Sequence, residues 1–380
     1  MASIYIHIPY CERKCIYCDF YSIENLASKD RFLAALLNEI DMYALRYAAE
    51  PIETIFFGGG TPSLLSPSVI ASILDRLTAR FRILPDAEIT MEANPGTVTP
   101  DSFRGYRSAG INRLSIGIQS FHREELEFLG RIHSAEEAER AVADAYRAGF
   151  TNVNIDLIFS LPSQTRARWE ETLRRALALH PVHISAYSLI VEEHTPLHAM
   201  VQKRIVTPIA ETVDAEIYEC TMDILAREGY RHYEISNYAK PGFECRHNLN
   251  YWNHSNYVSF GPSAHSFWRS SPSAARRWWN DRNIDRYCAG IESGSIPPGG
   301  EESIDLAQMI DEEIFLGLRR GELDLARLQR DYAFEFPDEQ EDLVTAFIDE
   351  GYLTLADQII RLTPKGFMMC DALTERLVQA

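Results

Sequence analysis

From residue 3 to about residue 190, short runs of β-branched and aliphatic residues alternate with longer stretches whose apolar positions recur every three to four residues. The first pattern predicts strands at Ser3–Ile8, Thr54–Phe57, Glu88–Ala93, Asn112–Ile118, Asn152–Phe159 and His183–Ser188. The second predicts helices between them. Over 28–47, Phe32, Leu33, Leu36, Leu37 and Ile40 form one stripe; over 66–81, Ser66 suits a cap and Pro67 a first turn. Thr99-Pro100 opens a further helix that Gly110 closes, and Ser134 with Glu137 has capping-box spacing, with Gly149 ending that segment. Thr165 and Thr207-Pro208 offer two more caps. Strand and helix repeated in this way predict an α/β fold with a parallel sheet, in the form of a partial, open (β/α)6 barrel; a doubly wound flat sheet is the alternative.

After about residue 235 the pattern changes to aromatic, Asn-rich and Pro/Gly-rich sequence, and from Glu301 to helices. Three segments are expected: a core domain over 1–238, an aromatic-rich stretch over 239–300 and a mainly helical C-terminal domain over 301–380. Within the last, "GYLTLADQIIRLTPKGF" reads as a hairpin, which makes a winged-helix-like fold one option.

The formal net charge of −18 changes the picture by arguing against a nucleic-acid partner, since binding to phosphate backbones needs clustered Lys and Arg. The balance is uneven, with seven Lys/Arg against three Asp/Glu over 240–290 and four against sixteen over 301–350. The acidity of the end argues against DNA contact by a wing, whereas the basic stretch permits peripheral membrane association. The first nine residues are too short and polar for a signal peptide, and no run of about 18 apolar residues follows, so a cytoplasmic protein is expected. In that reducing compartment seven cysteines predict ligands or catalysts where they cluster, and ordinary thiols at the scattered Cys220, Cys245, Cys288 and Cys370.

Parallel βα architectures gather ligands at the C-terminal ends of their strands, and the unusual residues of this chain fall there. Cys11, Cys15 and Cys18 follow the first predicted strand and "GGGTP" (58–62) the second; Glu92 lies in "TMEANPG" on the third. The fourth delivers Gln119 and Ser120, and the fifth carries Asp156. The C-x3-C-x2-C spacing suits three irons of a [4Fe–4S] cluster with one iron left without a protein ligand. A zinc site completed by His7 or a distant cysteine, in a zinc-stabilised interaction protein, and unliganded thiols remain open on spacing alone.

The cysteine spacing, Tyr17 before the third cysteine and the downstream "GGGTP" resemble the radical S-adenosylmethionine (SAM) superfamily. Within it, "IYIHIPYC", "FFGGGTPS", "LSIGIQSF", "NIDLIFSLPSQT" and "HNLNYW" resemble the coproporphyrinogen-dehydrogenase-like group, continuously through the barrel region and into the aromatic stretch. The resemblance implies a [4Fe–4S] cluster on Cys11, Cys15 and Cys18 whose open iron chelates SAM, an electron donor for that cluster, and SAM contacts at Tyr5, Gly59, Gly60, Thr61, Glu92, Gln119, Arg131 and Asp156. Tyr17 and Ile190 match through backbone or packing. His7 is as readily a core histidine as a member of the site.

The group holds two branches, an oxygen-independent porphyrinogen dehydrogenase and a haem chaperone. The dehydrogenase branch reads C-x3-C-x2-C-x-C after an extra N-terminal arm; here the fourth cysteine's position is Phe20 and the chain starts three residues before Ile4. Both departures point to the chaperone branch, as does the match of His247, Asn248, Tyr251 and Trp252 to its H-N-x-x-Y-W signature. That branch implies haem as cargo and haem-accepting proteins as partners. His247, Tyr251 and Trp252 are then candidates for the haem surface, with His254 and His265 behind them; the competing reading makes this stretch a structural closure of the barrel with His247 hydrogen-bonded inside. Whether SAM is cleaved stays open.

Overall fold

The computed structural model describes residues 1–378. Twelve strands form one sheet: β1 (Ala2–Ile8), β2 (Pro51–Gly59), β3 (Arg82–Ala93), β4 (Arg113–Gln119), β5 (Asn152–Phe159), β6 (His183–Ser188), β7 (Arg231–Glu234), β8 (Asn237–Ala239), β9 (Asn256–Phe260), β10 (His265–Ser271), β11 (Ala274–Asn280) and β12 (Pro298–Ile304). Their order is β12-β11-β10-β9-β1-β2-β3-β4-β5-β6-β8-β7, and β1 to β6 run parallel. Six consecutive parallel strands without a reversal put every crossover on the same side, because βα crossovers share one hand. This is the open barrel and not the doubly wound sheet, whose order reverses at a switch point.

The local signals act as expected along the barrel. Thr99 and Ser134 make capping boxes with Ser102 and Glu137, Gly110 ends its helix in the left-handed region, and Thr165 accepts from the Arg168 N–H. Two differ: Ser66 stands at its N-cap position but makes no side-chain capping hydrogen bond, and the helix predicted from Thr207-Pro208 starts at Glu211, behind Ala210, which makes no side-chain cap either. Pro208 and Ile209 instead line a small cavity with Leu197 and Val206, so packing delays the helix.

The aromatic stretch extends the sheet. β9 lies parallel to β1 on the edge opposite β2, and β10, β11 and β12 follow as an antiparallel flank. Its rings pack on the helix Lys29–Tyr47: Trp268 lies 4.4 Å from Tyr47 between centroids, and the Trp278 Nε1–H donates to the Tyr43 hydroxyl at 2.6 Å. Glu39 of the same helix is buried and accepts from the Gly261 N–H (2.8 Å), the Asn280 amide (2.6 Å) and the Tyr287 hydroxyl (2.6 Å). Beyond the flank come helices and a second sheet of β13 (Glu322–Asp324), β14 (Leu353–Ala356) and β15 (Ile359–Leu362), in which β14 and β15 form the expected hairpin. Among the described residues no helix is long and apolar enough to cross a membrane.

Candidate SAM and cluster site

The loop after β1 is closed at its neck, where the Ile23 N–H donates to Pro9 O (2.7 Å) and the Cys11 N–H to Ile23 O (3.0 Å). It is pinned laterally where the Ile16 N–H reaches Leu129 O (3.4 Å) and the Leu197 N–H reaches Ile16 O (2.9 Å). Cys11, Cys15 and Cys18 therefore stand on a fixed loop and line one cavity of about 600 Å³ at the barrel mouth. Among the described residues no three His, Cys, Asp or Glu side chains converge as the ligands of a single metal ion. A cubane asks something else of its thiolates, each binding a different iron, and three thiols spread over one cavity wall meet that demand. The Thr61 hydroxyl lies 3.6 Å from Cys11 Sγ, a donor of the kind that tunes cluster sulfurs.

Side chains from four strand ends are tied together behind this loop. The Asn94 amide donates to Thr61 Oγ1 (3.1 Å), Arg131 Nη1 donates to Asn94 Oδ1 (2.9 Å), and Arg131 Nη2 donates to the Tyr17 hydroxyl (2.8 Å). Arg131 Nε is buried with no partner among the described residues, a donor left over for an incoming carboxylate. The glycines serve close approach. Gly60 donates its N–H to Ile8 O at 2.7 Å, and a Cβ there would lie 2.6 Å from Tyr10 O; Gly59 has φ +107° and lies against the His7 ring.

Strand register lays a polar row across the barrel interior: Glu92 stands opposite Ser115, Ser115 opposite Asn154, and Asn154 opposite His183. Asp156 accepts from the Ser115 hydroxyl (3.0 Å) and the Asn154 amide (2.7 Å). Burial first, then the neighbouring Asp156, pushes the Glu92 carboxyl up to about 8, and burial raises Asp156. Two carboxyls held this way favour a cationic ligand, which restores the charge that burial disfavours. A cavity with three thiols, an unpartnered guanidinium nitrogen and two half-buried carboxyls thus fits a cluster and an amino-acid-bearing ligand.

The structure brings Tyr5, Tyr17, Gly59, Gly60, Thr61, Glu92, Gln119, Arg131, Asp156 and the 64% exposed Ile190 to this one cavity. Gln119 holds its place with φ +68° at the end of β4. His247 and Tyr251 also line it. His247, however, is 1% exposed, with Nδ1 2.7 Å from Thr54 Oγ1, Nε2 3.0 Å from the Tyr251 hydroxyl, and its ring stacked on Phe56. Both ring nitrogens are thus within hydrogen-bond reach of a hydroxyl, the arrangement that the structural reading of this stretch describes. Trp252 lies beside Glu234 and lines neither this cavity nor its neighbour. His7 is a core histidine, its Nε2 2.8 Å from Tyr21 O and its pKa lowered to about 4 by burial. Asn94, Ser115 and Asn154 were not singled out in the sequence; the signal was there as polar residues at alternate, otherwise buried strand positions.

Residues 5–176 match the radical SAM superfamily, and residues 304–369 match the HemN C-terminal domain. The heme chaperone HemW of Mycobacterium tuberculosis is 34% identical over 99% of this chain and 94% of its own. That of Bacillus subtilis is 34% identical over 97% of both chains, and that of Escherichia coli 44% identical over 69% of both. Among solved structures, the coproporphyrinogen III oxidase HemN of Escherichia coli, a radical SAM enzyme, superimposes with a TM-score of 0.85 over 99% of this chain and 89% of its own, at 23% identity. That likeness establishes the fold, including the open sheet and the C-terminal helical domain. With the sequence relatives spanning nearly its full length, the chain belongs to the HemW family of the radical SAM superfamily, whose fold implies a [4Fe–4S] cluster and SAM.

Proposed function

We propose that this chain binds haem and passes it to haem-requiring proteins, holding a SAM-liganded [4Fe–4S] cluster beside its cargo. The observation that carries the reading is Phe20. On the cysteine loop, at the position of the dehydrogenase branch's fourth cysteine, stands a ring that is 62% exposed and lines two neighbouring cavities. An exposed aromatic at a cavity mouth suits a large flat ligand better than it suits packing. The name heme chaperone, carried by full-length relatives, supports the same function.

Cys11, Cys15 and Cys18 would each hold one iron. When bound, the cluster supplies one iron open to the amino and carboxylate groups of SAM. The chain's own residues orient that ligand: Arg131 Nε pairs with the carboxylate, Glu92 and Asp156 accept from the ammonium or ribose hydroxyls, and Gly59 and Gly60 admit the methionine part against backbone. Tyr5, Tyr17, Gln119 and Ile190 would wall the rest of the SAM site, and the Thr61 hydroxyl would donate to Cys11 Sγ. Haem-accepting proteins and an electron donor for the cluster are the partners this function needs.

The test is anaerobic reconstitution followed by hemin titration and by incubation with SAM and coproporphyrinogen III. The expected result is full cluster absorbance, saturable hemin binding at about micromolar concentration or tighter, and no decarboxylated product. Failure to bind hemin with the cluster intact overturns the reading; turnover of the porphyrinogen transfers it to the dehydrogenase alternative.

A further inference from the structure

Beside the SAM cavity, across a wall that includes Phe20 and Tyr251, lies a second cavity of about 580 Å³. It falls within the range of roughly 300–1,000 Å³ usual for small-ligand sites. Its faces are rings: Phe20 and Tyr21 from the cysteine loop, Tyr257 and Phe267 from β9 and β10. We infer that an iron tetrapyrrole with carboxylate side chains seats here, with His265 as the protein ligand of the iron and Arg282 paired to a propionate. The inference rests on the haem-carrier reading and locates its site.

Three histidines line this cavity, and two are already engaged. His7 holds Tyr21 O and the Tyr5 hydroxyl (3.3 Å), and His254 has Nε2 2.8 Å from Glu312 and Nδ1 3.3 Å from Arg269 Nη2. His265 is exposed, and neither of its ring nitrogens has a hydrogen-bond partner among the described residues. Its ring is nevertheless held in place: His265 opens β10 directly opposite Trp279 of β11, and the two rings stack at 5.3 Å with 17° between planes. Partial desolvation at the cavity wall and then the nearby Arg277 lower its pKa, which favours the neutral imidazole that binds iron.

The cations sort the same way. Arg277 is neutralised by Glu302 (2.5 Å) and Glu312 (2.7 Å). Arg282 has no ion-pair partner among the described residues, because its neighbour Asp281 is taken by Arg286 at 2.8 and 2.9 Å. The one carboxylate on the wall besides these pairs is Asp19, on the cysteine loop and not on the flank that carries His265 and Arg282. Rings for the macrocycle, one open imidazole and one open guanidinium make a set fitted to an iron porphyrin.

The test uses the full chain with its cluster reconstituted, titrated with hemin and separately with metal-free protoporphyrin IX. His265→Ala is expected to lose the axial-ligand signature in magnetic circular dichroism and to weaken hemin binding by about tenfold, while protoporphyrin binding changes by less than about twofold; added imidazole restores the signature. Arg282→Glu weakens both probes by about tenfold, as loss of a charge-assisted contact requires. Cluster absorbance and far-ultraviolet circular dichroism stay at wild-type levels in both. Unchanged hemin spectrum and affinity in His265→Ala overturn the site while leaving the haem-carrier reading standing, and so does loss of the signature in His247→Gln alone. A wild-type chain that binds no hemin overturns both.

Discussion

The two cavities share a wall and are built in opposite ways. The first cavity is lined by polar side chains and glycines at the ends of consecutive strands, several of them joined through Thr61, Asn94, Arg131 and Tyr17. Its neighbour is lined by rings from the cysteine loop, β1 and the flank, with Arg277, Arg282 and His265 among them. One is pre-organised to fix the orientation of a small charged ligand; the other offers area and two unpaired groups. The difference teaches that adding four strands to the edge of the barrel places a second, ring-lined cavity beside the hydrogen-bonded one.

The sharpest way to break the comparison is to loosen the flank alone. Glu39 accepts three hydrogen bonds in a buried position, from Gly261, Asn280 and Tyr287, all of which belong to the flank. Glu39→Ala orphans those three donors, at about 1–3 kcal/mol each where no water replaces the carboxylate, so a loss of roughly 3 kcal/mol or more is expected. Chemical denaturation measures it. Because Gly261 leads directly into Ser263, Ala264 and His265 of the second cavity, hemin affinity should fall in the folded fraction while cluster content per folded chain holds. Equal losses on both sides would mean that the cavities form one cooperative unit.

How much of this was legible in the sequence divides along the same line. The strand ends carry their chemistry in contiguous motifs, so the cysteine loop, the glycines, Glu92 and Asp156 could be read from local spacing, and the register then gathers them. The second cavity draws on residues from 5 to 316, brought together only by strand pairing that no local pattern encodes. The aromatic richness of 239–300 signalled burial correctly, yet many of its rings pack against the helix Lys29–Tyr47. His247 was conspicuous for its motif, but a histidine's role depends on what its two nitrogens already hold, and that is a tertiary fact.

A smaller effect probes the SAM side alone through pH. Glu92 in the folded chain ionises at about 8, above the usual carboxyl value, so between about pH 4.5 and 8 the folded state holds a proton that the unfolded state has released. Stability from this group is therefore full below the unfolded pKa and declines as pH rises toward 8. A cationic ligand reverses the preference, and SAM affinity should rise with pH through the same window. Glu92→Gln is expected to flatten both profiles and to weaken SAM by about tenfold at pH 8, read by equilibrium binding, without altering hemin affinity. A pH profile that survives the substitution assigns the titration to Asp156.

The smallest expected change falls on the shared wall. Phe20→Cys writes the dehydrogenase branch's fourth cysteine into this chain. The side chain is mostly exposed, so folding stability should stay within about 0.5 kcal/mol. Cluster content should not change either, since on the proposed function three thiolates serve the cluster and a fourth adds no needed ligand. What the ring contributes is apolar area against a bound macrocycle; removing some 40–50 Å² of contact at about 25 cal/mol per Å² costs about 1 kcal/mol, or roughly fivefold in hemin affinity. If the variant instead gains porphyrinogen turnover with hemin binding intact, the fourth cysteine is sufficient for dehydrogenase chemistry on this scaffold, and the ring at the shared wall is not what sets hemin affinity.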